Sequence, residues 1–464
     1  MKTMESIYKA YNGKFLVGNV YGRKTEEIHK KLIKQHFNAL TPENYGKWSA
    51  IQPKEGRFTF SKMDELMDFA EQNQIEVIGH TLVWGNQTPK WVFQDKNGNQ
   101  ISKDLLVDRM KTHIEKNMLR YKGRIQYWDL VNEAFNGDGS YKNNDWYKII
   151  GPEYLEIAFA YASSIDPEAK LLYNDYGMTK SGRVNAVVEM VENLRSKNIP
   201  IHGIGIQGHW MLDHPAMYEI QSTLDTFKEL EIPVHITELD ISVLPSPYRG
   251  ANITKNFKNS KELDPYTKML PSEVEQNLAL RYESVFKLFL EYDNIKRVSF
   301  WGISDADSWK NNHPVQGRTD YTLLFDRSMK KKSAFHSVLS LGDDGYLTEI
   351  ATPVNSEFNS SLSNVVSVPD PYNEEVSSNS IEPKNKIIDQ KVIVQRETKQ
   401  SPVTKTSLNN KKLKWNAIDW TKVDLKSFDW PNFLTHNKIE IVLLLSIIGT
   451  LLVTFIAIFA KLRN

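Results

Sequence analysis

Residues 76–84 read EVIGHTLVW, a largely apolar stretch that finishes in tryptophan and carries histidine and threonine on the way. Seven further segments share this texture: FLVGNV (15–20), ALTPEN (39–44), YWDLVNEA (127–134), KLLYNDY (170–176), IGIQGHW (204–210), VHITELD (234–240) and VSFWGISD (298–305). Most begin aliphatic and end in Glu, Asn, His, Asp or Trp. Packing alone gives a buried strand no reason to end that way, whereas a barrel gathers its chemistry at the carboxyl ends of its strands. Helical patterns separate the segments. Met63, Leu66, Met67 and Ala70 recur at i, i+3, i+4, i+7, behind a Ser61/Asp64 pair with the form of a capping box. Val184, Val187, Val188 and Val191 repeat the spacing. Eight strands alternating with helices over residues 5–342 predict an α/β fold, a (β/α)8 TIM barrel.

The chain has 464 residues, more than one barrel of roughly 250 to 400 residues requires. The remainder differs in texture. From Thr352 to Asn410 the sequence is Ser, Asn, Val, Pro and charge without sustained periodicity, and residues 346–414 read as a disordered linker. Residues 415–440 form a juxtamembrane segment containing Trp415, Trp420 and Trp430. Ile441 to Ala460 is twenty residues without a charge, long enough at about 1.5 Å per residue to span a bilayer as a C-terminal transmembrane helix. Residues 461–464 are a short basic tail. Lysines flank the span on both sides, so charge does not orient it. Two arrangements follow: a tail-anchored protein with a cytoplasmic barrel, or an enzyme held on the outer face whose leader lies outside this sequence. The long linker, useful for holding a catalyst beyond a cell wall, favours the outer face.

Lys+Arg at 58 against Asp+Glu at 57 leaves a formal charge of +1, so no global field draws nucleic acid or an acidic polymer. An uncharged partner is expected. Aromatic residues make up 11% of the chain, with 11 Trp, and flat indole faces suit sugar rings as well as cores. Without cysteine there is no disulfide framework and no thiolate chemistry. The 11 histidines show no HExxH spacing, so neither metal nor cofactor is expected.

Hydrolysis of a glycosidic bond needs one carboxylic acid to protonate the leaving oxygen and a second to attack the anomeric carbon or activate water. Glu133 in WDLVNEA and Glu238 in HITELD lie 105 residues apart, about three βα units, and can point from opposing walls into one cleft. Each alone reads equally well as a rim salt bridge. Asn132, directly before Glu133, favours chemistry, because an amide there can bind a sugar 2-hydroxyl as the ring flattens.

Seven segments in order, ENYGKW (43–48), GHTLVWGNQTPKW (79–91), WDLVNEAF (128–135), YNDYG (173–177), IQGHW (206–210), HITELDIS (235–242) and FWGISDADSW (300–309), resemble the motif set of glycoside hydrolase family 10. The resemblance implies a (β/α)8 endo-1,4-β-xylanase acting on xylan or xylo-oligosaccharides by retaining double displacement, with a monomeric catalytic domain. It implies Glu133 as acid/base and Glu238 as nucleophile, the latter oriented by His209 and Asp240. Glu43, Asn44, Lys47, His80, Trp84, Gln87, Asn132 and Gln207 would line the minus-side sugar subsites. Trp301 and Trp309 would form an aromatic wall, with Tyr176 opposite. An acid/base must hold a proton near neutrality, so the Glu133 pKa is expected above the ordinary value of about 4.3. The family commonly has Met at Gly46, His at Gly85 and Asn at Gly177, departures that predict a reshaped cleft. The rivals are another retaining β-glycanase, acting on glucan or mannan, and a membrane-tethered carbohydrate-binding protein without catalysis.

Overall fold

A computed structural model describes residues 6–342. The barrel is built from β1 (Leu16–Tyr21), β2 (Ala39–Pro42), β3 (Glu76–Trp84), β4 (Tyr127–Asn132), β5 (Lys170–Asp175), β6 (Gly203–Ile206), β8 (Val234–Ser242) and β9 (Ile295–Phe300), while β7 (His209–Met211) is a short extra strand. The barrel strands are all parallel and neighbours in chain order pair. The β1–β9 and β6–β8 ladders close the ring. This is the (β/α)8 barrel expected from the sequence. The residues read from the sequence as a linker (346–414), a juxtamembrane segment (415–440) and a membrane span (441–460) lie outside the described residues.

The helical spacings translate directly into packing. Met63, Leu66, Met67 and Ala70 lie on the helix Ser61–Gln72 and are each at most 2% exposed. Val184, Val187 and Val191 are buried on the helix Ser181–Ser196. The capping box is a correction: Phe60 occupies the N-cap position and no side chain caps the helix. Asp64 is drawn instead to the neighbouring helix Lys103–Arg120, where Arg120 holds it at 2.9 and 2.5 Å and the following Tyr121 hydroxyl donates at 3.0 Å. A bidentate guanidinium contact outweighs a single capping bond.

Several strands end earlier than the sequence suggests, leaving Glu133, Tyr176 and Trp301 just past a strand end. IGIQGHW is two strands, interrupted at Gln207 and Gly208. The ladders also slip by one residue near the carboxyl ends. Between the His80–Asp129 and Val83–Val131 partners β3 carries an extra residue, and between Asp129–Leu172 and Val131–Tyr173 the extra residue is on β4. Between Ile236–Val298 and Leu239–Phe300 it falls on β8, across Glu238. Such bulges re-aim side chains that strict alternation would send to opposite faces.

Candidate active site

The bulge in β8 has a visible result. Thr237 and Glu238 are adjacent, yet both reach Asn174 at the end of β5: the Thr237 hydroxyl donates to Asn174 Oδ1 at 2.7 Å, and Asn174 Nδ2 donates to Glu238 Oε1 at 2.9 Å. On β4 a different device does the same for Asn132 and Glu133. Glu133 has φ +58°, a left-handed conformation that costs a non-glycine residue on the order of 1 kcal/mol or more. Its N–H donates to the Asn174 carbonyl at 2.9 Å. The next N–H, of Ala134, donates to the Tyr173 hydroxyl at 2.9 Å, and that hydroxyl donates to Asp175 at 2.6 Å. Strand β5 thus holds the Glu238 carboxylate and the backbone at Glu133 by hydrogen bonds.

The two carboxyl groups, both 5% exposed, have different surroundings. Glu238 Oε2 lies 3.1 Å from His209 Nε2, and His209 Nδ1 lies 2.9 Å from Asp240 Oδ2. Trp309 Nε1 donates to the same Asp240 oxygen at 2.7 Å. Burial works against charging His209, but Asp240 and Glu238 overcome it and raise its pKa. An imidazolium can donate to both carboxylates at once.

Glu133 faces donors rather than a charge relay. Lys142 Nζ donates to Oε2 at 3.0 Å and Gln207 Nε2 to Oε1 at 3.2 Å. Burial pushes this carboxyl up. The Lys142 charge and hydrogen bond, with Gln207 and Trp84 as further donors, prevail and hold it below the ordinary carboxylate range. The expectation of a raised value is therefore corrected: the sequence showed an apolar strand end but not the lysine that returns to it. The Asn132 carboxamide accepts from Asn174 Nδ2 at 2.9 Å and donates to Glu133 Oε1 at 3.3 Å.

The remaining residues named from the sequence gather around this pair. Lys47 Nζ donates to Asn44 Oδ1 at 3.0 Å and Gln87 Oε1 at 2.9 Å, and lies 5.0 Å from the Trp84 ring centre. Burial lowers its pKa, while the Glu238, Glu43 and Glu133 charges act in the opposite sense. His80 Nδ1 lies 2.9 Å from Asp129, and its ring meets Trp301 edge-on at 5.5 Å. Trp301 and Trp309 stand 6.4 and 4.8 Å from the His209 ring, forming one wall. Glu43, Trp301 and Trp309 also line one open pocket. Tyr176 lies under Lys142 and Arg183, at 4.4 and 4.5 Å.

The three glycines open no vacated space. A Cβ on Gly46 would lie 2.4 Å from the His80 carbonyl oxygen, and one on Gly177 (φ +57°) would lie 2.4 Å from Arg183 Nη1. At Gly85 the Asn144 side chain stands 3.0 to 3.4 Å from the missing Cβ. A neighbouring atom stands close to each position, so any reshaping of the cleft comes without open space at these glycines.

Sequence reasoning did not single out Asn174, Tyr173, Asp175, Arg183 or Lys142. The first three lie in the polar end of KLLYNDY, a signal present in the sequence. Lys142 follows Glu133 by nine residues, after the loop AFNGDGSY (134–141), and no pattern marks it.

Two buried carboxylates in one cleft, one on a histidine and one among amide and ammonium donors, are the arrangement glycoside hydrolysis requires. The family model for glycosyl hydrolase family 10 matches residues 6–341. The chain belongs to glycosyl hydrolase family 10. Among similar family members, the endo-1,4-beta-xylanase A of Xylanibacter ruminicola is 38% identical over 348 residues, covering 73% of this chain and 93% of that protein. The endo-1,4-beta-xylanase of Geobacillus stearothermophilus is 40% identical over 347 residues, covering 73% and 99%. A GH10 endoxylanase structure retrieved from a sugarcane soil metagenome superposes with TM-score 0.70 at 40% identity, covering 72% of this chain and 99% of that one.

Proposed function

We infer that this protein is an endo-1,4-β-xylanase, hydrolysing internal bonds of xylan with retention. The observation that carries the reading is the unlike environment of two carboxylates in one cleft of a family 10 barrel. Glu238, with the His209 ring at 3.1 Å and Asn174 donating at 2.9 Å, is held in one orientation to attack. Glu133 is reached only by donors, so once it has given its proton to the leaving oxygen its carboxylate is stabilised where it stands. In the first step Glu238 forms a bond to the anomeric carbon as the C–O bond breaks and Glu133 protonates the departing oxygen. In the second, Glu133 takes a proton from water, which displaces Glu238. Asn132 and Gln207 are placed for the sugar in the minus subsite beside Glu133. Glu43, Asn44, Lys47, His80, Trp84 and Gln87 extend that side, Trp301 and Trp309 wall it, and Tyr176 stands opposite.

The test is release of reducing sugar from xylan beside carboxymethyl cellulose and mannan, with two variants. Glu133→Ala should lose xylan hydrolysis about 10³-fold, keep the first step on an activated aryl xylobioside, and give a β-glycosyl azide with azide. Glu238→Ala should be inactive on all substrates without an added nucleophile and, with azide, should give an α-azide product from a β-fluoride. A faster rate on mannan or cellulose than on xylan would overturn the substrate assignment, and the opposite azide stereochemistry would exchange the carboxylate roles.

We also propose that residues 5–342 form the catalytic unit, acting as a monomer because one chain supplies every site residue. Residues 346–440 would tether it to a membrane-crossing helix at Ile441–Ala460, with the barrel on the outer face. The support is the charge-free run of twenty residues after a long polar stretch. Among the described residues no helix is long and apolar enough to cross a membrane. Protease added to intact cells should cut the linker and release xylanase activity. Retention of activity in the soluble cytoplasm would overturn this placement.

A further inference from the structure

The loop after β4 is built to return one lysine to one carboxylate. Phe135 and Tyr141 pair as an antiparallel bridge with their rings 4.9 Å apart, and Tyr141 stacks on Tyr147 at 5.0 Å. Asn136 N–H donates to the Ser140 carbonyl at 2.8 Å and Lys142 N–H to the Ala134 carbonyl at 2.7 Å. This hairpin places the Lys142 ammonium 3.0 Å from Glu133 Oε2 and 4.4 Å from the centre of the Tyr176 ring. The lysine side chain is 20% exposed and the glutamate 6%, so solvent screens the pair weakly.

The other cations near Glu133 are committed elsewhere. Lys47 donates to Asn44 and Gln87. Arg183 donates to the Phe135 and Tyr176 carbonyls. Among the described residues, only Lys142 forms an ion pair with Glu133. The charges facing this pair also include Asp175, at the end of β5, and the Arg183 guanidinium, while the titratable Tyr176 and Tyr248 interact electrostatically with Lys142.

We propose that Lys142 is a positioning residue for the acid/base: its ammonium orients the Glu133 carboxylate and stabilises it each time the proton leaves. This rests on Glu133 being the acid/base. In glycosylation the proton passes from Glu133 to the glycosidic oxygen, which also takes the electron pair of the broken C–O bond. The new Glu133 carboxylate then faces Lys142, which neither gains nor loses a proton. The arrangement opposes protonation of Glu133 in the free enzyme, and the same opposition makes the acid a better donor once protonated. It therefore sets where activity fails on the alkaline side.

The full chain carrying Lys142→Met, Lys142→Gln or Lys142→Arg would be assayed on xylo-oligosaccharides and on aryl xylobiosides of graded leaving-group ability. Met and Gln should move the alkaline limb of kcat/KM up by about one pH unit, the size expected when a close opposite charge is removed. They should also slow unactivated substrates about tenfold while sparing the first step on dinitrophenyl glycosides. Arg, which keeps the charge, should leave the limb near its original position. A limb that stays put in folded Met and Gln variants overturns the proposal. Should both variants fail to fold, ¹³C titration of Glu133 in the unmodified protein decides: a midpoint below the ordinary carboxylate range is expected, and one above it overturns the idea. Glu133→Ala assayed in parallel separates the two failures. If its rates keep the wild-type dependence on leaving group, the acid/base reading itself falls, whereas a collapsed rate on poor leaving groups confines the failure to Lys142.

Discussion

His209 lies between two carboxylates, and its charge depends on both. Asp240 and Glu238 raise its pKa above the ordinary 6.5, so its favourable contribution to stability is full below about 6.5 and is lost as pH rises through the folded value. Asp240→Asn should bring the ring's titration down and weaken its hydrogen bond to Glu238. A drop in kcat/KM of about 10 to 100-fold is expected, the usual range for a supporting partner. Imidazole resonances should titrate at lower pH than in the wild type. Unchanged kinetics with a lowered histidine pKa would show that the proton on His209 is dispensable. The resemblance of HITELDIS and IQGHW to family motifs anticipated this triad of residues, because each lies within a short contiguous segment. Lys142 could not be anticipated in that way, since its contact with Glu133 depends on how a hairpin folds back.

Strand ends and the loops against them carry the sugar-binding residues, and close packing between them leaves little freedom. Gly46 lies in the turn before the short helix Trp48–Ile51, against the β3 backbone at His80. Gly46→Ala forces a Cβ to within 2.4 Å of a carbonyl oxygen. The turn must shift, at a cost of about 1 to 3 kcal/mol. Because Asn44 and Lys47 flank this turn, KM for xylotriose should rise severalfold while kcat changes less. Calorimetry should show a melting temperature lower by a few degrees. A melting temperature equal to wild type would mean that the turn relaxes freely. The elements themselves were legible from apolar runs and helical spacing. Their exact ends and the one-residue slips in β3, β4 and β8 were not, because a bulge is a relation between two strands and leaves no mark in either one.

At the scale of the whole barrel, buried histidines set the response to acid. His36 is fully buried, edge-on to Phe335 at 5.0 Å, with no hydrogen-bond partner on either ring nitrogen. Burial, helped by the Lys331 charge, lowers its pKa to about 4. His113, stacked on Trp48 at 3.8 Å, is lowered to about 3, and His313, stacked on Trp309 at 4.6 Å, to about 4. The unfolded chain protonates these rings near pH 6.5 and the folded barrel does not. Stability is therefore full above 6.5 and falls as pH drops through the folded values. His36→Phe removes one such penalty and two unpaired polar atoms. It should stabilise the barrel by about 1 kcal/mol at pH 7 and by a few kcal/mol at pH 4. A difference in melting temperature that does not widen on acidification would refute the role given to His36.

Composition and periodicity determined much on their own: eight strands, their parallel order, the faces of the helices and the two carboxylates at strand ends. Those features depend on residues close in the chain, where apolar spacing and strand-end chemistry can be read directly. Tertiary structure alone decided which side chains meet. It brought Asn174 between Asn132 and Glu238, sent adjacent residues of β8 to one partner, filled the space beside Gly46, Gly85 and Gly177, and returned Lys142 to Glu133. That last contact reversed the expected direction of the acid's pKa, because a buried carboxyl answers to the nearest charge and that charge lay nine residues on, where a hairpin folds back.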